Sequence, residues 1–139
     1  MKRLLKFFGA TGFLALLMTI PAVAQIMNGL SFATTFPFYA GNTKLPPGSY
    51  KITASTYDPT VLQIESTTGN HSAFLDCIPT QSETAHTAGD VTFKKYGNID
   101  FLDRIWVAGQ QYGLLVAPSN VEKKVAASSQ PQSHSVPGK

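Results

Sequence analysis

The stretch Val91-Thr92-Phe93-Lys94-Lys95-Tyr96-Gly97-Asn98-Ile99-Asp100-Phe101-Leu102-Asp103-Arg104-Ile105-Trp106-Val107 decides the fold class. Two runs rich in β-branched and aromatic residues flank Gly97-Asn98, a pair that tolerates the positive φ of a tight two-residue turn. The segment therefore predicts an antiparallel hairpin, Val91 to Tyr96 against Ile99 to Val107.

The same punctuation continues in both directions. Downstream, Gly109-Gln110 turns into the short apolar run Tyr112 to Val116. Upstream, Thr68-Gly69-Asn70 reverses Val61–Ser66 into His71–Ile78, a second hairpin that Pro79 is expected to stop, and the polar stretch 80–89 is expected to be a loop. Tyr50, Ile52 and Ala54 alternate with Ser49, Lys51, Thr53 and Ser55, the pattern of a half-buried strand. The turn-rich segment 41–48 precedes it. In Leu30 to Tyr39 the period of two puts Phe32, Thr34, Phe36 and Phe38 on one face, and Pro37 implies an edge or a bulge. The expected fold is all-β: an antiparallel β-sandwich or flattened β-barrel of six or seven short strands.

One segment after residue 25 reads as helix. Ser119 and Glu122 have the spacing of a capping box, in which each side chain satisfies a backbone N–H of the first turn, and Val121 and Val125 share a face. This short C-terminal helix needs the sheet to dock on. Residues 128–139 are too poor in apolar side chains to offset ordering entropy and are expected to be a disordered tail.

The chain opens Met1-Lys2-Arg3-Leu4-Leu5-Lys6, runs apolar from Phe7 to Ile20 and reaches Pro21-Ala22-Val23-Ala24-Gln25. A basic start, an apolar core shorter than a bilayer span and small residues at 22 and 24 are the marks of a secretory signal peptide cleaved before Gln25. The expected organisation is a signal peptide at 1–24, one β-domain at 25–127 and the tail at 128–139, with export to the periplasm or the extracellular space. Of the 11 Lys and Arg, Lys2, Arg3 and Lys6 leave with the leader, so eight basic residues face eight acidic ones in the mature chain. A neutral domain offers no electrostatic case for nucleic acid or anionic lipid. Cys77 is the single cysteine, so no internal disulfide is available and stability rests on the core.

No constellation reaches a chemical mechanism, and no residue is assigned a catalytic, cofactor-binding or metal-binding role. Cys77 alternates with Ala73 and Leu75 as a small buried hydrophobe would; as a nucleophile it would need His71 or His86 beside it. His71, His86 and His134 lack the close pair that presets metal geometry. In a regular strand Asp103 falls on the face of Ile99, Phe101 and Ile105, where a carboxylate without a partner is costly. A bulge, an ion pair to Lys95 or a polar pocket resolves the conflict, and the first two are favoured; Asp100 and Asp103 on one strand do not by themselves make a glycosidase pair. The aromatics, Phe32, Phe36, Phe38, Tyr50, Phe93 and Trp106 among them, read first as core and second as the lining of an apolar ligand cavity. Asn70-His71-Ser72 matches the N-glycosylation sequon, a short pattern of low specificity.

Phe38-Tyr39-Ala40-Gly41-Asn42-Thr43-Lys44-Leu45-Pro46-Pro47-Gly48-Ser49-Tyr50-Lys51-Ile52, with Phe93 to Leu102, resembles a group of uncharacterised short exported β-rich proteins of acidobacteria, over about residues 30–127. The resemblance implies export and a β fold and brings no activity with it. The sequence thus leads to an exported, non-enzymatic interaction module of the envelope or extracellular space, whose partner it does not identify, another envelope protein or a small apolar ligand being the two candidates. A carrier of a small apolar ligand is the alternative, and a hydrolase the third.

Overall fold

Gly97, at φ 62°, turns β7 (Asp90–Tyr96) into β8 (Ile99–Trp106), forming the hairpin that the glycine–asparagine pair announces. A computed structural model describes residues 29–55, 57–58 and 60–139; the expected leader at 1–24 lies outside them. The remaining elements are β1 (Leu30–Thr34), β2 (Phe38–Ala40), β3 (Thr43–Leu45), β4 (Gly48–Ala54), β5 (Val61–Ser66), β6 (Ser72–Gln81), β9 (Tyr112–Val116), α1 (Asn120–Ala126) and β10 (Gln132–Pro137). The described part of the chain is all-β with one short helix. Its ten strands form one mixed sheet in the order β1-β4-β5-β6-β9-β8-β2-β3, with β7 on β8 and β10 on β7.

Three short strands account for the excess over the expected six or seven. The expected first strand breaks at residues 35–37 into β1 and β2, and the turn-rich connection contains β3, which pairs with β2. The third is β10, and it corrects the expectation of a disordered tail. Residues 132–137 pair in antiparallel register with β7 from Gln132↔Lys95 to Pro137↔Asp90. Composition alone misses this because the gain lies in main-chain bonds to an edge whose N–H and C=O groups would otherwise be unpaired.

Two further expectations are corrected. The sheet is not wholly antiparallel, since β2 meets β8 in parallel at Tyr39↔Phe101. Nor does Pro79 stop β6, which runs on to Gln81. Pairing with β5 ends at Asp76 and pairing with β9 covers 77–81, so Pro79 sits where β6 has one neighbour rather than two.

The core gathers the inward alternation of the strands: Phe32, Phe38, Tyr50, Ile52, Leu62, Ile64, Leu75, Phe93, Leu102, Ile105 and Leu114 are all buried. Phe32, Phe36 and Phe38 all pack on Phe93, at ring separations of 6.3, 5.1 and 5.3 Å, so the expected aromatic face survives the break at Pro37. Tyr50 stacks on Phe32 and donates its hydroxyl to the carbonyl of Pro46. The last residues lie beside the first described strand, where the Lys139 N–H donates to Ser31 O at 2.8 Å.

Candidate functional site

The polar side chains of the hairpin are sorted by one irregularity. Thr92 pairs with Arg104 and Phe93 with Leu102, leaving Asp103 as the extra residue of a β-bulge. The bulge reverses the alternation, so that Leu102 and Ile105 both enter the core, while Phe101 packs on Tyr39 and Tyr96 outside it.

On the face away from the core, Asp103 accepts Lys94 Nζ at 3.3 Å and lies 3.6 Å from Arg104 Nε. The bulge occurs as expected, but the ion pair is with Lys94, not Lys95. Lys94 also reaches Glu122 at 3.8 Å, and the Tyr96 hydroxyl donates to the same carboxylate at 3.2 Å. Asp103 and Glu122 are buried and Lys94 is about a quarter exposed. Two carboxylates thus face two cations in a charge-balanced cluster roofed by α1. Burial first, then the Glu122 and Asp103 carboxylates, push the Tyr96 hydroxyl above its ordinary pKa and keep it a donor.

Glu122 is the site residue that sequence reasoning placed differently. Ser119 caps the helix by accepting the Glu122 N–H at 3.1 Å, as the spacing predicts. The glutamate side chain, expected to reach back to Ser119, instead bonds Tyr96. Its burial beside half-buried Val121 and Val125 makes it the principal anchor of α1. The available signal was Tyr96 and Lys94 at alternate positions on an outward strand face with a carboxylate needed opposite.

On the core side of the same hairpin, Asp100 is buried and its Oδ1 lies 2.6 Å from His134 Nε2. The His134 ring stacks on Phe93 at 5.6 Å and meets Phe36 edge-on at 5.1 Å. Asp100 and Asp103 therefore serve opposite faces of the sheet with different partners and do not converge on a shared cleft.

Cys77 is buried in the core, its Sγ 3.9 Å from the carbonyl oxygen of Leu75. Burial, reinforced by nearby Asp76, pushes its thiol up to about 12. The three histidines lie apart: His71 is exposed at the turn before β6, His134 is on Asp100, and His86 stacks on Trp106 at 4.4 Å with Nδ1 3.6 Å from Asp90. The Cys77–histidine pair weighed from the sequence is not assembled. Among the described residues no group of three His, Cys, Asp or Glu is arranged to hold a metal ion, and no helix is long and apolar enough to cross a membrane.

Two surfaces remain. The outward face of β6 exposes Phe74 (67%) and Ile78 (53%), with Val61 and Leu115 half-buried on the adjoining strands. A groove of about 410 Å³ lies between the two ends of the described chain, walled by Leu30, Trp106, Val107 and Ala108. No family model, no curated protein and no solved structure matches the chain.

Proposed function

We propose that this protein is an exported, non-enzymatic interaction module of the envelope or extracellular space, and that the outward face of β6 binds its protein partner. The observation that carries this reading is the exposure of Phe74 and Ile78 on one face of β6, the strand whose first half pairs with β5 and whose second half pairs with β9. Large apolar side chains left in water on one sheet face mark contact surfaces, and buried aromatic anchors dominate such contacts. The separation of Cys77, the histidines and the two aspartates supports a non-enzymatic role. Between sandwich and barrel we favour a flattened barrel, supported by the bond from Lys139 to Ser31 that brings β10 beside β1. The leader-like start of the sequence supports export.

A photo-crosslinking amino acid at position 74 or 78, introduced in the native host, tests this face. A discrete protein adduct at both positions and none at Lys44 or Lys123 is expected. Equal labelling at all four positions refutes the β6 face as the binding site.

The groove beside Leu30 and Trp106 favours a second reading, a carrier of a small apolar ligand, because its volume falls within the range of ligand pockets. Of the aromatics expected to line such a cavity, Trp106 does so, whereas Phe32, Phe36, Phe38, Tyr50 and Phe93 pack on one another. A ligand copurifying in stoichiometric amount, and lost on Trp106→Ala, would place this second reading first.

A further inference from the structure

Among the described strands, β10 alone has no fully buried residue. Two of its side chains turn inward: Val136, packed at the rim of the core opposite Val91, and His134, held by Asp100 between Phe36 and Phe93. Gln132, Ser133, Ser135 and Pro137 are exposed. Residues 127–131 join β10 to α1 without regular structure beyond the helix cap, so the strand can leave without disturbing the helix. What it would uncover is the β7 edge, a row of main-chain donors and acceptors, and beside it a subsite of two aromatic rings and a buried carboxylate.

We propose that β10 is a displaceable strap, and that the β7 edge beneath it is a strand-accepting site whose occupant in trans is the C-terminal strand of a second copy. Strand addition supplies main-chain bonds from the edge, and alternate side chains supply the selectivity. Here the Phe36–Phe93–Asp100 subsite takes an imidazole and the Val91 position takes a small aliphatic two residues later, the pattern His134-Ser135-Val136. An identical element exchanged between copies makes the same contacts in trans as in cis, so the exchange needs little beyond release of the strap. The proposal is independent of the β6 face, which lies elsewhere on the sheet.

The test is titration of the full chain with an isotopically labelled synthetic peptide of residues 131–139, read by NMR, beside hydrogen exchange of the main chain. A short linker gives the cis strand an effective concentration in the millimolar range, so peptide at several mM should compete. Saturable binding is expected, with β7 shifts and with β10 amides exchanging at least about tenfold faster than those of β4 and β5. Replacing the peptide histidine by alanine should weaken binding about tenfold, the size expected for loss of a charged hydrogen bond. H134A in the full chain should tighten binding of the wild-type peptide, because its own strap competes less well; the wild-type titration stands even if that variant does not fold. No binding by about 10 mM peptide, or β10 amides as slow as those of β4 and β5, would overturn the proposal.

Discussion

The indole of Trp106 covers Gly113, its register partner on β9, so closely that a Cβ at position 113 would lie 2.5 Å from the ring and 2.6 Å from the carbonyl of Ile105. A ring laid over a strand glycine buries main chain that has no side chain of its own to shield it. Gly113→Ala must displace both ring and backbone, and a loss of about 1–3 kcal/mol is expected from such overpacking. Urea unfolding gives the stability. The fluorescence of Trp106, the single tryptophan, should shift in the folded variant because its packing changes.

The cluster beneath α1 sets the second expectation. Glu122→Ala leaves the Tyr96 hydroxyl without its acceptor and removes one carboxylate from Lys94, a loss of about 1–3 kcal/mol by the cost of leaving a buried polar group unsatisfied. Glu122→Gln retains an acceptor for Tyr96 and should lose less. A double-mutant cycle of Glu122→Ala with Tyr96→Phe should give a coupling of about 0.5–1.5 kcal/mol. A coupling of zero would show that the hydroxyl and the carboxylate do not act together.

Cys77 gives a dependence on pH. The folded thiol ionises at about 12, whereas an unfolded thiol ionises near ~8.5. Above that lower value the unfolded chain loses a proton that the folded chain keeps, so stability falls as pH rises. The slope is at most about 1.4 kcal/mol per pH unit. Tyr50 and Tyr96 are also raised, from 10.0, so the interval between about pH 8.5 and 10 belongs mainly to the thiol. Cys77→Ala should flatten the stability curve in that interval, and a thiol-specific reagent should label Cys77 at the rate of unfolding rather than of diffusion.

The exposed pair on β6 should behave oppositely to the core. Phe74→Ser and Ile78→Ser remove side chains already mostly in water, so each is expected to change stability by less than about 1 kcal/mol in thermal or urea unfolding. Leu75→Ala, the inward neighbour on the same strand, should lose about 2–5 kcal/mol.

Legibility in the sequence followed the range of the interactions. Gly97 and Gly69 both adopt positive φ, at 62° and 77°, and the hairpins around them are local, so turn chemistry and alternation suffice to read them. The pairing of β10 with β7 joins His134 to Phe93 across some forty residues, and no local pattern in Ser-His-Ser-Val announces it. The conflict at Asp103 was visible as a carboxylate on an apolar face. Its resolution through Lys94 rather than Lys95 was not, because the bulge changes which neighbour faces it. Glu122 had a sufficient local role in the capping box, which concealed its long-range bond to Tyr96.

The central claim, that the β6 face binds a protein partner after export, is tested most directly by native mass spectrometry of the mature protein purified from its host's envelope and medium, alongside the F74S/I78S double variant. The account predicts a stoichiometric complex with another polypeptide for the wild type and the bare mature mass for the variant. A wild-type protein that carries a small molecule in place of a polypeptide, or a complex that persists unchanged in the double variant, would contradict it.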